Sequence, residues 1–436
     1  MSIQTINPAT GEVIQTYDLM SLSELDSTIN KTHEAYLQWK TTSFDERTKK
    51  MLKMAQVLRE NANECALIIT NEMGKPISQS LAEIEKCAWI CEHYAQTAPE
   101  YLKDRIIKTE KLKTKVVHRP RGIVFAIMPW NFPFWQVFRF ICPSLMAGNG
   151  GLLSHAPIST GTSLKIEQIV KAAGFPDNLF RSLIIDNDLS AKVIANNKIT
   201  GVTLTGSDRA GRAVASEAGQ NLKKVVLELG GSDPYLILED ADLEQAATAC
   251  VNSRLNNSGQ VCIAPKRIIV IKSVKEEFDK LVIEKAKNFK MGNPLDEGVN
   301  CGPMARADLR DQLHDQVTRS IEEGAELVLG GELPGGDGFF YPPTILNNVT
   351  LDMTACKEEL FGPVITLIEA EDEASAIKIA NDTDFGLAGA VFTKDLEKGE
   401  HIATDLIESG SVAVNNFVAS DPRVPFGGIG ISGFGR

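Results

Sequence analysis

Cysteine and histidine are scarce in this chain. Eight cysteines in 436 residues (Cys65, Cys87, Cys91, Cys142, Cys250, Cys262, Cys301 and Cys356) are too few for a disulfide-stapled scaffold. No C-x-x-C pair occurs and the six histidines are dispersed, so no zinc site is indicated and the expected metal complement is none. Cys87 and Cys91 sit four apart in a helical pattern, which reads as packing on one face. Long basic runs are missing too, and the net charge is -12, which argues against nucleic acid or an anionic membrane as the main partner. No clean membrane span stands out. The most apolar region, Ile123 to Leu145, contains Asn131, Arg139, Pro129, Pro133 and Pro143, and reads as protein interior. The start, MSIQTINPATGEV, lacks a charged-then-apolar signal pattern, so a cytoplasmic location is expected. Internal repeats and low-complexity segments are also lacking.

What is present is an ordinary globular balance, 43% hydrophobic and 23% charged residues, in a chain too long for one simple core. Two or three domains are expected. Residues 21–104 read as a helical layer, with Met51, Ala55, Leu58 and Ala62 on one face. From residue 122 the pattern alternates. GIVFAI, GLLSHA, LFRSLII, TGVTLTG and KVVLELGG read as strands. Between them lie helices at Phe132 to Ala147, Ser163 to Ala173, near Ala191, and ending at Gly219. Such alternation implies a mostly parallel, doubly wound α/β sheet, which binds dinucleotides at the C-terminal strand ends. Residues 232–410 read as a second α/β unit. In it, YLILE, RIIVI, GAVFT and SVAVN are strands, and 241–256, 274–289 and 312–323 are helices.

Two groups carry the reactive chemistry. Glu228 closes an apolar strand before Gly230 and Gly231, where desolvation should lift its pKa toward neutrality and suit it to act as a general base. Cys262 follows Gly259 in a loop after a helix, where a thiol can be an exposed nucleophile. By itself a lone cysteine is more often a small core residue. A glycine-rich match at Gly428, Gly430 and Gly433 is rejected as a dinucleotide fingerprint, because no helix and second strand follow it. The turn GSDRAG (206–211) is a better phosphate site, since it follows a strand and opens a helix. Spacing alone leaves it equally readable as a simple strand-to-helix turn.

The wording around these groups resembles the aldehyde dehydrogenase superfamily. LELGGSDP matches its glutamate motif, GQVCIA its cysteine motif, MPWNFPFWQ its asparagine motif and EELFGPV its cofactor-ribose motif, all in the family's order. LMAGN…HAP and SDPRVPFGG point to the succinate-semialdehyde dehydrogenase branch. The resemblance implies a Rossmann-like cofactor domain (1–231), with strands near 105–121 serving oligomerisation. It also implies a catalytic domain (232–410) and a return to the first region over 411–436. An NAD- or NADP-dependent oxidation of an aldehyde is implied, most specifically succinate semialdehyde to succinate. Cys262 would attack the carbonyl, with Asn131 and the Cys262 N–H holding the oxyanion. Glu228 would activate the water that hydrolyses the thioester. Cofactor contacts would come from Pro129, Trp130, Ser154, Gly206, Ser207, Leu229, Glu359 and Phe361. Without the motifs, Asn131 is a turn residue before Pro133 and Glu359 an ordinary surface charge.

The single charge of the helix after Asn131 is Arg139, four residues from Trp135 and so on the same face. An aromatic wall with a guanidinium beyond it suits a short aldehyde ending in carboxylate. Ser420 matches a substrate-side position of the family. The competing reading of Arg139 is a brace paired with a core carboxylate.

Three departures from the family pattern stand out. Ser154 replaces a lysine that reaches the adenosine ribose, and Pro157 replaces a glutamate common in NAD-preferring relatives, which leaves NAD versus NADP open. The sequence stops at SGFGR, where relatives continue into a subunit-pairing strand, so a weakened homo-oligomer is expected. These departures keep a second reading, a weakly active or inactive member serving as a binding or structural protein.

Overall fold

In the computed structural model, which describes residues 2–110 and 113–436, two largely parallel sheets carry the chain. The first runs, edge to edge, Gly433–Phe434, Lys224–Glu228, Ile199–Thr205, Ile123–Met128, Gly150–His155 and Phe180–Ser182. All neighbours are parallel except Gly433–Phe434, which lies antiparallel to Lys224–Glu228. Helices cover both faces, which is why its central strands are continuous apolar runs rather than alternating ones. Phe125, Leu152 and Val202 pack on one side, and Ala126 and Leu153 on the other.

Four helices form the expected layer: Leu22–Trp39, Phe44–Glu60, Ala62–Met73 and Ile77–Tyr101. Ser21 and Glu24 make a capping box at the first, and Ser43 caps the second. Met51, Ala55 and Leu58 are buried, as their spacing requires, and so are Cys87 and Cys91. The third helix ends at Gly74, whose φ of 80° is left-handed; a Cβ there would also lie 2.7 Å from Pro303.

The second sheet is ordered Glu326–Leu329, Thr344–Asn347, Val364–Ala370, Pro265–Ile271, Asp233–Ile237, Gly389–Phe392 and Val412–Val414. Val412–Val414 is its edge strand, parallel to Gly389–Phe392, so the chain rejoins the first sheet only at Gly433, later than the expected boundary at 411.

Other boundaries move for local reasons. The helix expected from Phe132 begins at Trp135, and its N-terminus is capped by Glu83, which accepts from the N–H groups of Phe134 and Trp135. LFRSLII pairs only over Phe180–Ser182. The 428–433 glycines make a β connection: Ile429–Gly430 pairs with Phe385–Gly386, and a Cβ on Gly433 would sit 2.0 Å from the Leu227 carbonyl oxygen. Arg105–Ile107 and Thr114–Val116 form an exposed antiparallel ribbon; residues 111 and 112 of the expected 105–121 segment lie outside the described residues. Among the described residues, no helix is long and apolar enough to cross a membrane.

Candidate active site

The Cys262 loop begins where the helix Leu243–Leu255 stops. Asn257, Ser258 and Gly259 are successively left-handed, with φ of 51°, 54° and 72°. Two non-glycine residues in that region cost on the order of 1–3 kcal/mol each, so the surroundings must impose the turn. They do. The Asn257 N–H donates to Gln79 Oε1 (2.8 Å), the Ser258 hydroxyl to the Gly302 carbonyl (2.9 Å), and the buried Arg254 to the carbonyls of Gly259, Leu360 and Val364. Only glycine fits at 259, since a Cβ would lie 2.0 Å from the Gly362 carbonyl oxygen. Arg254 thereby locks the cysteine loop to the segment that carries Glu359 and Phe361.

Asn131 meets the same loop from the first sheet. Its Nδ2 donates to the Gln260 carbonyl (3.0 Å), and its own carbonyl accepts from Asn257 Nδ2 (2.8 Å). Its Oδ1 accepts from the Phe132 N–H (3.1 Å). One amide proton is therefore used within the protein, and the other has no partner among the described residues beside the cavity that Asn131 lines.

Glu228 ends its strand with 6% exposure, and burial raises its pKa to about 7 against the pull of Arg139 and Arg436. Its Oε2 is buried without a hydrogen bond among the described residues; the nearest cation is Arg139, whose Nη1 lies 3.7 Å away. Arg139 also reaches Thr205 Oγ1 (3.4 Å) and lies 5.2 Å from the centre of the Phe426 ring. The core carboxylate weighed as an alternative partner for Arg139 thus exists, and it is the expected general base. Trp135 is buried, with the Lys86 ammonium 4.0 Å from its ring centre. Ser420 is half-buried. Trp135, Arg139 and Ser420 do not line the large cavity described next.

That cavity, about 2270 Å³, runs over the C-terminal ends of the first sheet's strands and reaches Cys262. Pro129, Trp130, Ser154, Pro157, Gly206, Ser207, Leu229, Glu359 and Phe361 all line it. Ser207 caps the helix Asp208–Gln220 by accepting from the Ala210 N–H, so the helix's remaining free N–H groups and its positive dipole end face this space. Gly206 has no atom nearer than 3.7 Å to a Cβ position, which leaves room beside it for a ligand, while its N–H donates to the Glu228 carbonyl (3.0 Å). At Gly230, by contrast, a Cβ would lie 2.4 Å from Glu359 Oε2, and the Gly231 N–H donates to Glu359 Oε1 (3.2 Å). The glycines after Glu228 are what allow Glu359 to approach the backbone. Trp130 and Phe361 meet edge to face at 5.8 Å.

Lys266 and Asp233 escaped the sequence reading. Lys266 is 1% exposed; its ammonium donates to the carbonyls of Val261 (3.0 Å) and Cys262 (2.6 Å) and pairs with Glu359 Oε1 (2.9 Å). Asp233 is buried beside it, accepts from the Ala388 N–H, and is pushed up to about 7 by desolvation. Lys266 and Arg267 are adjacent cations in the wholly buried strand Pro265–Ile271, a pattern that demands partners and was the available signal. The Cys262 thiol is itself raised to about 11 by burial; Lys266 and Arg139 oppose that rise, while Glu359 and Asp233 reinforce it.

Comparison with known proteins shows the family. The model of the aldehyde dehydrogenase family matches residues 1–436. The NAD(P)+ succinate semialdehyde dehydrogenase Sad of Escherichia coli (strain K12) is 45% identical over 99% of this chain and 93% of that protein. An NADP+ succinate-semialdehyde dehydrogenase of Mycobacterium avium (strain 104) is 39% identical over 100% of this chain and 93% of that one. Among solved structures, succinic semialdehyde dehydrogenase from Streptococcus pyogenes with NADP+ matches with a TM-score of 0.97 at 36% identity, over 100% of this chain and 95% of that chain.

Proposed function

Because the chain belongs to the aldehyde dehydrogenase family and is an aldehyde-oxidising enzyme, we propose that it oxidises succinate semialdehyde to succinate with NAD or NADP. In this reading Cys262 is the nucleophile, Glu228 the general base and Asn131 an oxyanion donor. The observation that carries it is the clasp between Asn131 and the cysteine loop, two hydrogen bonds joining segments about 130 residues apart at the mouth of the large cavity.

The residues fit a dinucleotide. The helix N-terminus at Ser207, with room beside Gly206 for a close approach, suits a pyrophosphate, and Glu359 suits a ribose diol. Ser154 and Pro157 line the same cavity without a charge, which fits acceptance of either cofactor. When bound, the nicotinamide supplies the hydride acceptor. The chain's own residues do the rest. A carboxyl poised at about 7 is half-ionised near neutrality, so Glu228 can take a proton from the thiol or from water. The Cys262 thiolate adds to the carbonyl, and the unused Asn131 proton with the Cys262 N–H receives the oxyanion. After oxidation, water deprotonated by Glu228 releases the acid from the thioester. Buried Trp135 and the Arg139 guanidinium would face the far carboxylate of the substrate, with Ser420 beside it. The 3.7 Å contact favours a second task for Arg139, counter-charge to Glu228. We ascribe cofactor binding to the first sheet, the nucleophile to the second, and self-association to the exposed strands Arg105–Ile107 and Thr114–Val116.

The test is direct: purified protein, succinate semialdehyde and either nicotinamide cofactor, with absorbance of reduced nicotinamide followed. Reduction that needs the aldehyde and is saturable is expected. Absence of reduction with both cofactors would sink the reading, and equal efficiency with butanal would sink its carboxylate specificity.

A further inference from the structure

Lys266 occupies the point where the nucleophile loop and the cofactor-facing segment meet, and the scheme above gives it no task. Its ammonium donates to Val261 O and Cys262 O and forms an ion pair with Glu359 Oε1. The acceptors come from segments almost a hundred residues apart in sequence, and the ammonium is withdrawn from water. The Phe361 ring closes over it, 5.8 Å from Nζ to the ring centre.

We propose that Lys266 is a positioning residue: one ammonium holds the Cys262 carbonyl and the Glu359 carboxylate together, so that the nucleophile and the group facing the cofactor are set as a unit. The inference rests on the reading of Cys262 as nucleophile and Glu359 as cofactor contact. Glu359 is held from two sides, by Lys266 and by the Gly231 N–H, and the Cβ position of Gly231 lies only 2.9 Å from the Cys262 carbonyl oxygen. Displacing Glu359 therefore disturbs the backbone behind the thiol. Four charged groups act on that thiol: Lys266 and Arg139 favour the thiolate, and Glu359 and Asp233 oppose it. Lys266 thus has an electrostatic consequence that a brace of the same shape would lack: without it, two carboxylates face the thiol against Arg139 alone.

The test measures the thiol without turnover. Iodoacetamide alkylation is followed against pH, with the adduct located by mass spectrometry; the other seven cysteines are buried. Lys266→Met should move the Cys262 midpoint to higher pH by about one unit, slowing alkylation near neutrality about tenfold. It should also raise the cofactor dissociation constant, measured by fluorescence titration. Glu359→Gln should move the midpoint the opposite way, and the double variant should return close to the wild type. Midpoints that coincide in all folded variants would overturn the proposal and leave a plain brace. Should Lys266→Met not fold, Glu359→Gln decides alone: its side chain is 22% exposed, and an unmoved midpoint refutes the linkage. Failure of the underlying reading looks different, since Cys262→Ala would then lose the adduct yet keep oxidising aldehyde.

Discussion

Replacing Arg139 by methionine separates two tasks that one guanidinium could hold. Its Nη1 lies 3.7 Å from Glu228 Oε2, with the two side chains 21% and 7% exposed. Unit charges at that distance interact by about 4 kcal/mol at an effective dielectric of about 20 and by about 1 kcal/mol in water. The guanidinium is partly wet, so the lower part of that range applies, about 1–2 kcal/mol, which is about one pKa unit. Loss of the cation should therefore raise the Glu228 midpoint from about 7 by about one unit. The acidic limb of the kcat profile should shift upward by that amount with every aldehyde, butanal included, provided deacylation limits turnover. With a neutral aldehyde the variant should recover at alkaline pH, where Glu228 is again ionised. With succinate semialdehyde a raised KM should persist at all pH values, because a carboxylate has lost its cation. Steady-state kinetics with both aldehydes across the pH range give both answers. An acidic limb identical to the wild type would refute the coupling of Arg139 to Glu228. A KM unchanged for succinate semialdehyde would remove Arg139 from the substrate.

Cys262→Ala should abolish oxidation, and Glu228→Gln should give a burst of reduced cofactor followed by slow turnover; full steady-state activity in the alanine variant would end the covalent scheme. Glu228 is also a cost to stability. Its folded pKa of about 7 lies above the ordinary 4.5, so its contribution is complete below about pH 4.5 and is lost as pH rises through about 7. Glu228→Gln should raise the melting temperature at pH about 8 and not at pH about 4, by a stabilisation of up to about 3 kcal/mol, and a variant equal to wild type at both would show that the carboxyl is not desolvated. Ser154→Lys should tighten NADP more than NAD, by about 1.5–3 kcal/mol if the ammonium meets a 2′-phosphate; equal titration curves for both proteins would place position 154 away from the cofactor.

What could be read from the chain alone follows how local each cause is. The poise of Glu228 was legible because its desolvation comes from its own strand and the glycines beside it. The parallel sheet was legible because strands buried on both faces must be apolar throughout. The start of the helix at Trp135 was not, because the free N–H groups of Phe134 and Trp135 are satisfied by Glu83, which arrives from another helix. Glu83 in turn pairs with the buried Lys75, whose ammonium lies 3.8 Å from the centre of the Phe132 ring, next to Asn131.

The same reasoning explains why the buried cations were the hardest residues to interpret. Lys75, Arg254 and Lys266 each have almost no exposure, and no short-range pattern names their partners. Arg254 was read only as part of a helix, yet it binds three carbonyls and so fixes both the left-handed cysteine turn and the segment after Glu359. Desolvation, opposed by the attraction of Glu359, lowers the Arg254 pKa to about 9, which shows how strongly burial weighs on a charge here. A motif identifies the groups that react because their chemistry fixes their type. The groups that hold them need only a cation of the right length at the right depth, and that requirement becomes visible only when the carbonyls of one loop and the carboxylate of a distant segment are brought to one ammonium.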